Sequence, residues 1–216
     1  MSQPRRSGRP LQRTTLAGPN ARRDSLLVFA EGRNTEVGYL RAWHRQHREG
    51  ILVDFDDCHG EPFTLVEAAV KARESERREE RKGRGRAHDE YWCVFDRDEH
   101  PKFDAAVRLA GEQGICLAVS NPCLELWFVW HFEDQTAFVE RAVVQRRSRQ
   151  LLGCDKTLTA SALQALAAES RYEDAKHRAA LLDAKHEGDG SLPRSNPSSD
   201  IHCLVERIRR GTARRS

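Results

Sequence analysis

The stretch SLLVFAEGRNTE, residues 25–36, joins an apolar run to a tight polar turn. A short apolar run bounded by a turn signal is typical of a strand that is buried on both faces. Gly32, just after the run, lets the backbone turn sharply and approach a ligand closely. Apolar residues then recur at helical spacing over 35–49. The stretch therefore predicts a strand-to-helix unit with Glu31 at its turn.

Similar units follow along the chain. Apolar runs at 51–55, 91–95 and 115–120 are strand candidates, and helical spacing lies between them. Strands that alternate with helices indicate a parallel sheet, because parallel strands need crossover connections. After residue 136 the pattern is helical. We therefore predict an α/β fold, a parallel sheet of about four strands flanked by helices, with a helical C-terminal third.

Composition excludes several classes of protein. The chain has 216 residues, of which 32% are charged, and this length suits one domain or a core with an appendage. No run approaches the roughly 18 apolar residues of a membrane span, and the basic N-terminus lacks the apolar segment of a secretory signal. The six cysteines form no C-x-x-C pair, which argues against a zinc site. We therefore expect a cytoplasmic protein with no membrane partner.

The net charge of +3 is unevenly distributed. Residues 1–24 carry +5 and residues 207–216 carry another +5, so residues 25–206 carry −7. Arginine-rich ends can hold phosphates without reading sequence, although they are equally typical of solvated tails. We divide the chain into a disordered basic tail (1–24), an α/β core (25–135), a helical extension packed on it (136–208) and a basic tail (209–216).

Polar residues follow three of the strand candidates. The first strand ends at Glu31, the third at Asp96 and Asp98, and the fourth at Ser120 and Asn121. The carboxyl ends of parallel strands form one edge, outside which ligands bind. Asp96 and Asp98 would point the same way, about 6–7 Å apart, and such carboxylates repel unless a cation lies between them. Oxygen ligands suit Mg²⁺ or Mn²⁺, so we predict a divalent-metal site for phosphate-bearing substrates.

Each of these acids also has an ordinary explanation. A lone D-x-D after a strand is common, and an acid at a strand end more often caps a helix or lies on the surface. Their occurrence on successive strand–helix units, in this order, favours a shared site.

Several motifs resemble known families. Glu-Gly after the first strand and D-x-D after the third resemble the TOPRIM domain of topoisomerases, primases and OLD-type nucleases. Over about residues 25–208 the chain resembles the RloB-like family of bacterial defence proteins, through VFAEGRNTEVGYL, VFDRDEH, AVSNPCLELWFVWHF, GCDKT and SNPSSDIHCLVERI. The resemblance implies a TOPRIM-like sheet and a role in antiphage defence or abortive infection beside an ABC-type AAA ATPase encoded nearby. It places the TOPRIM glutamate at Glu31 and the metal aspartates at Asp96 and Asp98.

Each candidate catalytic residue has a chemical role. Divalent ions on Asp96 and Asp98 would polarise a phosphodiester and activate water, with Glu31 as a further ligand or general acid/base. Glu125 lies in a helix that is apolar on nearly every side, so we expect it to be buried, either as a further metal ligand or in a salt bridge with an arginine. Lys156 could offset charge on a leaving oxygen.

Four further residues are candidates for holding nucleic acid or phosphate. Ser120 and Asn121 can donate to a phosphate at the start of a helix predicted over 122–132, or they can simply cap that helix. Arg33 and Arg97, each close along the chain to a candidate acid, are the other two. Glu36 is a local capping residue or, less often, a metal ligand.

Three functions remain in view. The first is a Mg²⁺- or Mn²⁺-dependent endonuclease of TOPRIM type, which cuts RNA such as tRNA under the control of the partner ATPase. The second is a non-catalytic nucleic-acid-binding or sensing subunit of the same complex. A primase or topoisomerase module is the weakest, because the chain has no zinc motif. The intact acid set favours the enzyme, and the sequence leaves open RNA versus DNA and the formation of a homo-oligomer.

Overall fold

A computed structural model of the chain describes residues 23–97 and 100–211. Strands and helices alternate through the first half of the chain, and helices dominate the second half. In order, the elements are β1 (Asp24–Ala30), α1 (Thr35–His47), β2 (Ile51–Phe55), α2 (Pro62–Arg81), β3 (Glu90–Asp96), α3 (Phe103–Gln113), β4 (Cys116–Asn121), α4 (Glu125–Trp130), α5 (Arg141–Leu152), α6 (Ala160–Leu166), α7 (Glu169–Gly188), β5 (Ser198–Ser199) and α8 (Ile201–Arg210).

The strands form one sheet in the order β2-β1-β3-β4-β5. The first four are parallel, and β5 pairs antiparallel with the end of β4 through Ser120 and Asn121. The predicted α/β fold with a helical C-terminal part is therefore confirmed. The short fifth strand was not predicted, because two residues carry no periodicity.

The sheet is covered on both faces, as the unbroken apolar run of β1 predicts. Leu26 and Val28 belong to a large apolar cluster shared with α1, α4 and the C-terminal helices, which reaches Ile208. Leu27 and Phe29 face the other way, against α2 and α3. The helical extension therefore shares one core with the sheet. None of the described helices is long and apolar enough to cross a membrane.

The segment after β4 differs from the prediction. Asn121 was expected to cap a helix over 122–132, but it is the last residue of β4 and pairs with Ser198. Because this pairing continues the strand, α4 begins only at Glu125. The start of α4 lies beside the carboxyl end of β3, where the N–H of Leu124 donates to Asp96.

The predicted basic tails lie largely outside the described residues, which exclude 1–22 and 212–216. Their inner ends belong to regular structure, because β1 begins at Asp24 and α8 extends through Arg210. Arginines of α8 therefore contribute to the fold itself.

Candidate active site

A pocket of about 350 Å³ lies at the carboxyl ends of β1 and β3. The turn after β1, the first residues of α4 and the start of α5 form its walls, together with the loop after α5. This is the edge where an open parallel sheet binds its ligands. Its walls carry carboxylates and cationic side chains: Glu31, Glu36, Asp96, Glu125, Arg33, Arg141 and Lys156. We call it the acidic pocket.

Asp96 lies at the base of the acidic pocket and is only 5% exposed. Its Oδ1 accepts a hydrogen bond from the backbone N–H of Leu124 at 2.9 Å, and its Oδ2 accepts one from Arg141 at 2.8 Å. The backbone N–H of Asp96 donates to Glu31 Oε2 at 3.1 Å. The neighbouring strands β1 and β3 thus bring together the two acids that the sequence assigned to one site.

Glu36 reaches the same pocket from the first turn of α1. A Cβ atom at position 32 would lie 2.9 Å from Glu36 Cδ, so a glycine there leaves room for this carboxylate. The hydroxyl of Thr35 donates to the backbone carbonyl of Lys156 at 2.6 Å, which ties α1 to the loop after α5. Glu36, which the sequence assigned first to local capping, is therefore a pocket residue.

The carboxyl groups of the acidic pocket are crowded. Burial raises the pKa of Asp96 well above its usual range; Arg141 acts against this shift, and Glu36, Glu31 and Glu125 add to it. Burial also raises the pKa of Glu36, and Glu31 and Glu125 raise it further. Shared negative charge in a desolvated pocket is relieved by protons or by a cation, and it is typical of functional sites.

The acidic pocket offers a metal ion mainly carboxylate oxygens. Among residues 23–97 and 100–211, no three His, Cys, Asp or Glu side chains are arranged to hold one. Asp98, the second predicted metal aspartate, lies outside the described residues. The donor chemistry fits Mg²⁺ or Mn²⁺, because Mg²⁺ takes one or two carboxylates and keeps several waters. Glu31 and Asp96 are the described residues that would hold it, and Arg141 would have to leave Asp96 Oδ2.

The remaining acidic candidate, Glu125, differs from its prediction. It is half-buried rather than fully buried, because it opens α4 at the wall of the pocket instead of lying inside an apolar helix. Arg33 and Lys156, which the sequence assigned to phosphate binding and to catalysis, are both exposed and line the pocket. These three side chains surround the acids contributed by the strands.

Three predicted phosphate contacts are engaged elsewhere. Ser120 Oγ is hydrogen bonded to Ser199 Oγ at 2.8 Å inside the fold. Asn121 Nδ2 and Arg97 Nη1 each donate to the carbonyl of Arg194 at 2.7 Å. Asn121 and Arg97 fix the segment before β5, Ser120 contacts β5 itself, and none of the three lines the acidic pocket. The predicted location of Ser120 and Asn121 at a helix N-terminus is wrong, because β4 continues through Asn121 and α4 begins at Glu125.

Sequence reasoning missed Arg141, which opens α5 in the helical extension. It lies 45 residues from Asp96 along the chain, and its guanidinium is the ion-pair partner of that carboxylate at 2.8 Å. No local motif marks it. Only the packing of α5 against α4 brings it to the edge of the sheet.

The fold and the pocket define an α/β protein with a cluster of carboxylates at the carboxyl edge of a mostly parallel sheet. The model of the RloB-like protein family matches residues 26–208, and the chain belongs to this family. The match spans both the sheet and the helical extension, and it confirms the resemblance found in the sequence. No curated protein and no solved structure matches the chain.

Proposed function

We propose that the protein is a divalent-metal-dependent nuclease that cleaves phosphodiester bonds at the acidic pocket. The observation that carries the proposal is the meeting of Glu31 and Asp96 in a desolvated pocket, where further carboxylates raise the pKa of Asp96. A bound Mg²⁺ or Mn²⁺ would polarise the phosphoryl group and lower the pKa of a water. Glu31 and Asp96 would hold it, together with Asp98.

The other residues of the pocket orient Asp96 and bind the phosphates of the substrate. The N–H of Leu124 fixes one oxygen of Asp96, so this carboxylate points into the pocket. Arg141 is a positioning residue for Asp96, and its guanidinium can also pair with a phosphate that enters. Lys156 and Arg33 stand at the wall, where they can balance the charge of a polyanion.

The substrate and the setting are inferred from the family. We infer that the substrate is RNA such as tRNA, and that the protein is an effector of antiphage defence with a partner ABC-type AAA ATPase. Membership of the RloB-like family supports this inference, through the resemblance of the motifs described above. The pocket itself supports only phosphodiester chemistry, which RNA and DNA share.

A second function has one observation in its favour. Arg141 binds the oxygen of Asp96 that a metal would need, and the described residues hold no ready three-ligand group. A non-catalytic subunit that binds or senses nucleic acid for the ATPase would keep this ion pair. In that case substitution of the pocket acids would leave the biological effect unchanged.

The test compares purified full-length protein, alone and with the ATPase encoded nearby, on tRNA, total RNA and DNA. Cleavage is expected with Mg²⁺ or Mn²⁺, none with EDTA, and loss of both cleavage and cellular toxicity in Asp98→Ala. Full toxicity and intact nucleic acid in both wild type and Asp98→Ala would favour the non-catalytic subunit.

A further inference from the structure

A second, larger cavity adjoins the acidic pocket. It encloses about 620 Å³ and shares Arg141 with that pocket. Asn121 and Pro122 lie on one side of it, with the start of α3. Residues 138–140 and the segment 192–196 supply the remaining walls. We call this cavity the side groove; its volume lies within the roughly 300–1,000 Å³ of small-ligand sites.

The walls of the side groove are fixed by side-chain-to-backbone hydrogen bonds. Asn196 accepts from the N–H of Val139 at 3.1 Å and donates to the carbonyl of the same residue at 2.8 Å. Arg97 and Asn121 both hold the carbonyl of Arg194. Two loops of the helical extension are therefore tied to each other and to the sheet, and the groove is formed before any ligand binds.

Two large apolar side chains stand exposed on these fixed walls. Phe138 is 75% exposed and Leu192 is 72% exposed, and both line the side groove. Val139, next to Phe138, is buried and anchors the loop. An isolated exposed apolar residue is ordinary, but an aromatic and an aliphatic side chain together on one preformed groove indicate a binding surface.

The side groove also carries cations. Arg97 lines it, with its guanidinium 5.0 Å from the centre of the Phe103 ring, and Arg141 lies where it meets the acidic pocket. The groove also contains the acids Asp104 and Glu140, so it is not basic overall. An arginine beside an exposed aromatic ring is still the pairing by which proteins hold single-stranded nucleic acid: the cation contacts a phosphate, and a base stacks on the ring.

We propose that the side groove binds an unpaired nucleotide next to the phosphodiester cleaved at the acidic pocket, with its base stacked on Phe138. This inference rests on the proposed function and adds a substrate class, which is a single-stranded segment such as a loop or an end. A base inside a duplex is already stacked on both faces, so it has no face to offer Phe138. Leu192 would contact the same nucleotide from the opposite loop.

The experiment measures binding separately from cleavage, in EDTA, by fluorescence anisotropy. The probes are labelled oligoadenylate as RNA and as DNA, and a duplex of the same length. Phe138→Ala is expected to weaken single-strand binding roughly 5- to 100-fold, since one base stack contributes about that factor, and to leave duplex binding unchanged. Phe138→Trp should retain binding. Leu181→Ala, which removes a 57% exposed apolar residue outside the side groove, is the matched control.

A spectroscopic probe reports the stack itself. The fluorescence of 2-aminopurine in the oligonucleotide, which is quenched there by the adjacent stacked bases, should change on binding to the wild type and to Phe138→Trp, and not with Phe138→Ala. Because Phe138 is exposed, the alanine variant should fold normally, which a thermal melt checks.

The outcomes separate this inference from the nuclease. Metal-dependent cleavage by the wild type, with unchanged single-strand binding by Phe138→Ala, overturns the nucleotide groove and leaves the nuclease standing. Unchanged oligonucleotide binding with a lost ATPase complex in Phe138→Ala assigns the ring to a protein contact and also overturns it. Single-strand binding that depends on Phe138, without cleavage by the wild type under any metal, overturns the nuclease and supports the groove.

Discussion

The acidic pocket and the arginines of α8 both bring carboxylates and guanidinium groups together, but the pKa of a carboxyl group shifts in opposite directions in the two regions. Arg207 donates to Asp24 at 2.7 Å and to Glu90 at 2.6 Å, and it ties α8 to the amino ends of β1 and β3. Arg209 donates to Glu206 at 2.8 Å. We call these contacts the α8 network. Although burial acts against it, the hydrogen bond from Tyr172 and the cation of Lys176 lower the pKa of Glu206.

In the acidic pocket the pKa values of the carboxyl groups are raised instead. Arg141 is close to Asp96 and Glu36, but other acids lie nearby as well. Burial and these neighbouring negative charges raise the pKa of Asp96 and that of Glu36. A carboxylate whose pKa is lowered stabilises the fold as an anion, whereas one whose pKa is raised is held as an anion at a cost in stability. The carboxylate of Glu206 in the α8 network therefore stabilises the fold, whereas those of the acidic pocket keep their charge at a cost in stability, which is typical of functional sites.

The largest expected effect is on the rate of cleavage, which should depend on a carboxylate of the acidic pocket and not on one of the α8 network. Asp96→Asn should reduce phosphodiester cleavage by about 100-fold or more, because it removes a charge at the site where a metal would polarise the phosphate. Glu90→Gln, a matched loss of one carboxylate in the α8 network, should leave the cleavage rate within about twofold of the wild type. Initial rates on one RNA substrate check this. Equal losses of cleavage in both variants would contradict the different roles given to the two regions.

The second effect concerns stability. Arg207→Ala should lower the free energy of unfolding by about 2–3 kcal/mol, because it removes a cation that contacts both Asp24 and Glu90 while only 19% of its side chain is exposed. Lys82→Ala, at an exposed pair with Glu79, should cost at most about 1 kcal/mol. Urea unfolding measures both. A destabilisation by Arg207→Ala no larger than that by Lys82→Ala would show that the α8 network does not hold the fold.

The third effect uses the same substitution at two glycines. Gly32→Ala should lower cleavage about tenfold, because its Cβ would displace the Glu36 carboxylate from the acidic pocket. Gly38→Ala, inside α1, should leave cleavage unchanged and stabilise the protein by about 0.5–1 kcal/mol, because outside the neighbouring helix backbone no atom lies within 4 Å of the added carbon. Full activity of Gly32→Ala would remove Glu36 from the site.

The smallest expected effects are changes in the free energy of unfolding that have opposite signs in the two regions. At neutral pH, Glu36→Gln should stabilise the protein and Glu206→Gln should destabilise it, each by up to about 1 kcal/mol. The raised pKa of Glu36 lowers stability increasingly above pH 4.5, so the gain of Glu36→Gln should vanish below that pH. The lowered pKa of Glu206 stabilises the protein above pH 4.5, and this is lost as pH falls through the folded-state value. Urea unfolding from pH 4 to pH 8 tests both signs; the same sign for both variants would contradict the comparison.

The sequence predicts the buried strands and the candidate residues that lie at their carboxyl ends. Strands 51–55 and 91–95 have the apolar runs that mark buried strands, and parallel pairing then brings Glu31 and Asp96 to one edge. Glu36 was ranked lower because Thr35 and Glu36 resemble a helix cap, while the hydroxyl of Thr35 in fact donates to the loop after α5.

The parts that were not predicted depend on contacts between distant segments. Arg141 reaches Asp96 through the packing of α5, which no periodicity encodes. Ser120 and Asn121 were assigned to phosphate because nothing marks the two-residue β5 that pairs with them. The arginines from 207 onward were interpreted as a charged end for polyanions, yet Arg207 and Arg209 bind carboxylates within the fold.

We propose above all that the acidic pocket binds a divalent cation through Glu31 and Asp96. A titration of purified protein with Mn²⁺, followed by electron paramagnetic resonance, tests it without a substrate. The account predicts saturable binding by the wild type and by Glu90→Gln, and binding that is weakened at least tenfold in Glu31→Gln and in Asp96→Asn. Equal Mn²⁺ binding by all four proteins, or no saturable binding by the folded wild type, would contradict it.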